Sequence, residues 1–222
     1  MFEQGCTSTR GLWVAVFGPD GAGKSAVIRC IAADPPAPFR SVQQFHFRPM
    51  FRRQWKESPS ATAPHAESPR SALLSIVKLL YWLADCWYGY VFLIRPAREG
   101  SRLVLFDRYL DDILIDPRRY RLPQSVHWFA RLAVLLAPRP DLCVLLDVPA
   151  EAVQQRKAEV TAEESHRQRL AYRQMFRSLV NGFMIDAIPP VEDVTRELRA
   201  VILESLATHA ANRAETSLIA DA

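Results

Sequence analysis

Four cysteines in 222 residues, Cys6, Cys30, Cys86 and Cys143, lie far apart and show none of the paired spacings that hold a metal; the five histidines show none either. Three of these cysteines fall in apolar segments, so buried free thiols are expected. That points to a reducing compartment and hence the cytoplasm. The amino terminus has no basic stretch followed by an apolar core and a small-residue cleavage site, so no secretory leader is expected. No internal repeat, interdomain linker or Asn/Thr-Lys-x-Asp guanine-reading motif occurs. The net charge is only +4, which suits a protein that handles anions but does not separate phosphate metabolites from nucleic acid. No nucleic-acid recognition motif accompanies it, so a nucleic-acid partner is not expected.

With 49% apolar residues, the chain can bury a full core as a single domain over 1–210, leaving 211–222 as a disordered tail. Five apolar, β-prone runs, Leu12–Phe17, Arg40–Phe45, Leu103–Phe106, Leu142–Asp147 and Phe183–Ile185, alternate with helical spacings. The alternation predicts an α/β fold, a parallel sheet with helices on both faces. Val191, Val194, Leu198, Val201, Ile202 and Leu206 recur at three- and four-residue steps and predict the last helix. Thr161 and Glu164 form a capping-box pattern that opens another. Residues 58–70, rich in Pro, Ser and Ala, read as a surface loop.

Ser71 to Ile94 is long enough to cross a membrane, but it contains Lys78 and Asp85. Each charge costs about 2.5–3.5 kcal/mol at a bilayer centre, against roughly 0.3–0.6 gained per large aliphatic residue. No membrane span is expected; a helix buried in a soluble core is.

Gly18-Pro19-Asp20-Gly21-Ala22-Gly23-Lys24-Ser25 is a P-loop (Walker A) pattern set between a strand and a helix. Gly21 and Gly23 permit backbone angles that turn successive N–H groups toward one anion, and the helix start adds partial positive charge. Gly18, Asp20, Gly21, Ala22, Gly23, Lys24, Ser25 and Ala26 are therefore candidate ATP-binding residues. Lys24 would meet the outer phosphates, and Ser25 would ligand Mg²⁺. Asp107 and Arg108 in "RLVLFDRYL" lie just beyond an apolar strand, at the end where open α/β sheets bind ligands. Asp107 would hold Mg²⁺ or accept a proton, and Arg108 would grip a phosphate.

These motifs, with Tyr109 after Asp107-Arg108, "LLDVPAEAVQQRK" and "MIDAIPPVEDV", resemble the thymidylate kinase family of P-loop nucleoside monophosphate kinases. The resemblance runs from about Leu12 to Leu206. It implies a five-stranded parallel sheet, Mg-ATP as donor, and an acceptor such as dTMP opposite the P-loop. It implies that Asp20 faces the acceptor and Arg108 and Tyr109 line its site. The Asp186–Ala187 turn would lie near adenine. Arg156 would open a short lid, 156–169, whose arginines (Arg167 and Arg169 among them) approach the transferring phosphoryl group.

The acceptor side departs from that family. After the second strand the chain reads His46-Phe47-Arg48-Pro49, with no glutamate in the family's Arg-Glu-Pro-Gly pattern. The helix arginine expected to read thymine is replaced by Asp85, Cys86 and Trp87. The serine and Ala-Tyr-Gln expected after Asp-Arg-Tyr give way to "LDDILIDPRRYRLP". Arg48, Asp85 and the Arg118, Arg119 and Arg121 cluster are the acceptor-side candidates, the cluster being alternatively a solvated basic turn, while Arg52 and Arg53 read as surface charges. The pattern is also similar to thymidylate kinase-like proteins of polysaccharide biosynthesis. The expected function is γ-phosphoryl transfer from Mg-ATP to a small-molecule acceptor: a nucleoside monophosphate, or alternatively a sugar or sugar phosphate. A slow ATPase acting as a regulator is a second alternative. Assembly is open between monomer and homodimer.

Overall fold

Leu12–Phe17 is apolar without alternation, and the computed structural model shows why. It describes residues 10–49, 68–156 and 161–220. Strand β1 (Trp13–Phe17) is central in a five-stranded parallel sheet of order β2-β3-β1-β4-β5, with β2 (Val42–His46), β3 (Leu103–Asp107), β4 (Leu142–Asp147) and β5 (Gly182–Asp186). Both faces are covered, so both parities of each central strand must be apolar. Trp13, Ala15 and Phe17, with Val104 and Phe106 of β3, face one core beside Leu79, Trp82 and Tyr172. Val14 and Val16, with Leu103 and Leu105, face the other beside Ile28, Ile31, Leu198 and Ile202. Each fully buried large apolar side chain is worth about 1.5–3 kcal/mol relative to exposure.

Helix α1 (Lys24–Ala33) follows the glycine loop. A long helical segment, Ala72–Glu99, comprises α2 (Ala72–Gly89), a π-helical turn (Tyr90–Ile94) and α3 (Arg95–Glu99). α4 (Asp112–Ile115), a 3-10 turn (Gln124–Val126), α5 (His127–Leu136), α6 (Ala150–Arg156) and α7 (Ala162–Arg177) complete the crossovers. Thr161 caps α7: its hydroxyl accepts from the Glu164 N–H at 3.2 Å. In α8 (Val191–Ala220) the buried apolar positions are Val194, Leu198, Ile202 and Leu206, with Val191 and Val201 of the expected face partly buried against the same core.

Three expectations change. Helix α8 continues through residues 211–220, where a disordered tail was expected. Cys30 is exposed on α1; among the described residues Cys86 and Cys143 are the buried free thiols, and burial pushes both up to about 12. The segment expected as a core helix is buried on one side only. Leu79, Trp82, Cys86 and Ile94 pack inward, while Leu73, Val77, Leu80, Tyr81 and Phe92 stay exposed. By length and composition alone Ala72–Glu99 could cross a membrane. Its two interior charges instead tie it to the fold: Lys78 donates to the Tyr120 carbonyl at 2.8 Å, and Asp85 pairs with Arg48 at 3.3 Å. Cys6, Arg52, Arg53, residues 58–67 of the expected loop and 157–160 of the expected lid lie outside the described residues.

Candidate active site

The chain leaves β1 through three glycines with positive φ: Gly18 (146°), Gly21 (87°) and Gly23 (86°). A Cβ at Gly18 would lie 2.9 Å from the Leu146 carbonyl oxygen, so the loop closes against β4 only with glycine there. Ala22 is buried in the core below, and the Ala26 N–H donates to the Gly23 carbonyl at 3.0 Å, closing the first turn of α1. Lys24 is buried, and its ammonium donates to the Gly18 and Pro19 carbonyls at 2.8 Å each. Burial and then Arg108 lower its pKa to about 8, against the pull of Asp107 and Asp20.

β3 runs beside β1, with Asp107 in register with Val16. That register brings Asp107 to the next residue of the loop: Ser25 Oγ donates to Asp107 Oδ2 at 2.9 Å. Asp107 Oδ1 is buried and has no hydrogen-bond partner. A buried carboxylate oxygen with no donor is costly unless something positive meets it. One carboxylate and one hydroxyl are the small, hard oxygen set that Mg²⁺ uses together with substrate phosphates. Among the described residues no cluster of three or more His, Cys, Asp or Glu offers an all-protein cage. The residues fit Mg²⁺ brought by a nucleotide.

Arg108 is the next residue, with φ 67°. A left-handed backbone costs a bulky residue about 1–2 kcal/mol and recurs where function dictates geometry. The bend turns the guanidinium back over the P-loop. Arg108 Nη2 donates to Asp20 Oδ1 at 2.7 Å, and Arg119 Nη1 donates to Asp20 Oδ2. Burial alone would raise the Asp20 carboxyl, but Arg108, Lys24 and Arg119 together hold it well below the usual carboxylate range. On its other edge Arg108 Nη1 donates to both oxygens of Asp112 at 2.8 Å.

Asp20, Lys24, Ser25, Asp107, Arg108 and Arg119 are thus brought together. Tyr109 is not. It is wholly buried, its hydroxyl donates to the Pro138 carbonyl at 2.9 Å, and its ring meets Trp13 and Phe106 edge-on. The turn at Arg108 sends the following side chain into the core. Arg118 is exposed, while Arg119 reaches inward. Arg48 and Asp85 pair with each other, and the Arg48 guanidinium lies over the Tyr81 and Trp82 rings at 5.5 and 5.2 Å.

Arg156, expected to begin a lid over the transferring group, is tied elsewhere. It donates to the carbonyls of Ala187 and Ile188 at 3.0 and 3.1 Å, pinning the turn after Asp186. Arg167 pairs with Glu164 at 2.6 Å, and Arg169 grips Asp147 at the end of β4 with two bonds of 2.8 and 2.9 Å. Three residues of the cluster escaped the sequence reading: Asp112, Tyr120 and Tyr172. Asp112 sits in an Asp-Asp pair that resembles solvated charge, and the tyrosines resemble core aromatics. Local spacing gave no sound signal for them, because Arg108 lies in a left-handed bend outside α4 and reaches Asp112 through that bend rather than along a helix.

A glycine loop feeding Lys24 and Ser25, faced by a carboxylate from the neighbouring parallel strand, defines a P-loop nucleotide-binding site. No family model matches the chain. A thymidylate kinase of Xanthomonas campestris (strain B100) is 27% identical over 204 residues, covering 89% of this chain and 85% of the relative. A probable thymidylate kinase of Methanoculleus marisnigri is 28% identical over 212 residues, covering 84% and 94%. The solved structure of Candida albicans thymidylate kinase shares the fold, with TM-score 0.64 and 14% identity over 90% of this chain and 95% of that one. The chain is a thymidylate kinase-like, ATP-dependent phosphotransferase.

Proposed function

We propose that the protein transfers the γ-phosphoryl group of Mg-ATP to a small acceptor seated between Asp20, Arg108 and Arg119. The observation that carries this reading is the Ser25–Asp107 contact, with the second Asp107 oxygen buried and unpartnered. It sets an oxygen site for a cation at the start of α1, beside Lys24. Ser25 and Asp107 would hold Mg²⁺, which when bound neutralises phosphate charge. The Gly21–Lys24 backbone receives the phosphates, and Lys24 exchanges the Gly18 and Pro19 carbonyls for phosphate oxygens. Asp20 and Arg108 orient the acceptor oxygen in line with the γ-phosphorus. Such catalysis is positioning plus charge stabilisation, with little covalent work by the protein. The names of the relatives make dTMP the first acceptor to test.

The acceptor side argues for a different preference. In place of a base-reading arginine, α2 carries Asp85, already paired with Arg48. A base polar group left unpaired in a buried pocket costs about 1–3 kcal/mol, or roughly 5- to 150-fold in affinity. A coupled ADP-release screen over nucleoside monophosphates, nucleosides, free sugars and sugar phosphates tests this. Acceptor-dependent ADP release, with dTMP below another compound, is expected. A kcat/KM for dTMP above about 10⁵ M⁻¹s⁻¹, inside the usual enzyme range, would make dTMP the natural acceptor.

A further inference from the structure

Arg108, the residue best placed to hold an acceptor phosphate, already faces two carboxylates. Asp112 is fully buried and receives both Arg108 Nη1 contacts. The Tyr120 hydroxyl donates to Asp112 Oδ2 at 2.6 Å, and the Tyr172 hydroxyl donates to Oδ1. Tyr172 comes from α7 and Tyr120 from the segment after α4, so two separate elements hold this carboxylate in place. Burial would raise the Asp112 carboxyl, but Arg108 and the two hydroxyls keep it below its ordinary range, so it is ionised at neutral pH. The acceptor face therefore carries Arg108 and Arg119 against Asp20 and Asp112, two charges of each sign. Lys24 belongs to the donor side, where it meets the P-loop carbonyls.

A phosphate monoester brings nearly two negative charges and three acceptor oxygens. It needs surplus positive charge and free guanidinium N–H groups, and here Asp20 and Asp112 occupy both ends of the Arg108 fork. An uncharged hydroxyl needs neither. It can donate to Asp20 and accept from Arg119, whose single contact to Asp20 uses only Nη1, without displacing a carboxylate.

We propose that Asp112, clamped by Tyr120 and Tyr172, is a specificity-determining residue that neutralises Arg108 and so selects an uncharged, hydroxyl-bearing acceptor of the polyol or sugar class over a phosphate monoester. This rests on the phosphotransfer reading above. The acceptor hydroxyl oxygen forms the new bond to the γ-phosphorus. The bond from that phosphorus to the β–γ bridging oxygen breaks, and ADP keeps the electron pair. The hydroxyl proton, hydrogen-bonded to the partly exposed Asp20 carboxylate while the bond forms, is released to water as the new O–P bond completes.

The test reads the charge of the site without turnover. Inorganic phosphate is titrated calorimetrically into the protein saturated with Mg²⁺ and a non-hydrolysable ATP analogue. The wild type should bind phosphate more weakly than about 1 mM. Asp112→Asn should tighten binding by roughly tenfold or more, since it removes one charge at hydrogen-bond distance from Arg108. Adding Arg108→Ala should abolish the gain, which assigns it to this site. Wild-type binding tighter than about 1 mM, or no gain in Asp112→Asn, overturns the proposal. Should Asp112→Asn fail to fold, the wild-type measurement decides alone. A protein that transfers no phosphoryl group leaves the phosphate result standing, because phosphate affinity is measured without catalysis.

Discussion

Ser25 and Asp107 are 82 residues apart in sequence, and their side chains meet at 2.9 Å across the gap between the ends of β1 and β3. Parallel register brings them there: Val16 pairs with Asp107, so β3 ends one step beside the start of the glycine loop. The contact uses one Asp107 oxygen and leaves the other buried and unpartnered. A side chain built for packing alone would not keep such an oxygen.

Asp107→Asn keeps the shape and the Ser25 contact but removes the charge. The variant should fold and lose kcat by about 10²-fold or more, with a smaller change in acceptor KM, as expected for a group that acts mainly in the transition state. It should also need more Mg²⁺ for half-maximal rate. Steady-state kinetics across a Mg²⁺ series check this. Wild-type kinetics would reduce the Ser25–Asp107 pair to a structural contact.

Arg156 should behave as a nucleotide-side residue. It holds the Ala187 and Ile188 carbonyls, which fix the turn after Asp186 where the resemblance puts adenine. Arg156→Ala should raise the ATP KM by roughly 5- to 10-fold, the loss of one or two hydrogen bonds to a charged group, and leave kcat within about twofold. A large fall in kcat at unchanged ATP KM would restore it to the transferring group.

Lys78 gives a pH dependence. Burial, then Arg70, Arg121 and Arg48, lowers its pKa from 10.5 to about 8. The unfolded chain thus holds more protons than the folded one between those two values, and stability contributed by this group rises with pH across that window. Below pH 8 the fold carries the full cost of the ammonium. Relative to Lys78→Met, the wild type should gain on the order of 1 kcal/mol between pH 7 and pH 10 after discounting for partial exposure. That corresponds to about 2–4 °C in Tm for a domain of this size. Thermal melts of both proteins at the two pH values check it; a constant difference in Tm would mean that Lys78 titrates as an ordinary surface amine.

Much of the donor side was legible in the sequence because its chemistry is local. Gly18 to Ser25 are contiguous, and their roles follow from backbone angles and the start of one helix. The strands were legible because covering both faces of a parallel sheet makes each central strand uniformly apolar, as in Leu142–Asp147. The acceptor side was less so. Arg48 with Asp85, Asp20 with Arg119, and Asp112 with Tyr172 are pairings between distant segments, and a one-dimensional reading sees only isolated charges. Tyr109 was misplaced because the left-handed turn at Arg108 breaks strand alternation, and no residue type in that stretch announces the turn. Arg156 was read as a lid residue from the family pattern, while its local geometry depends on carbonyls some thirty residues onward.

The most direct measurement follows label from [γ-³²P]ATP in the presence of Mg²⁺ and a panel of candidate acceptors. The wild type should move the label onto an acceptor. Lys24→Ala, which removes the charge that meets the phosphates, should melt as a folded protein and transfer at least about 10³-fold more slowly. Label released only as inorganic phosphate, or undiminished transfer by folded Lys24→Ala protein, would contradict phosphoryl transfer at this site.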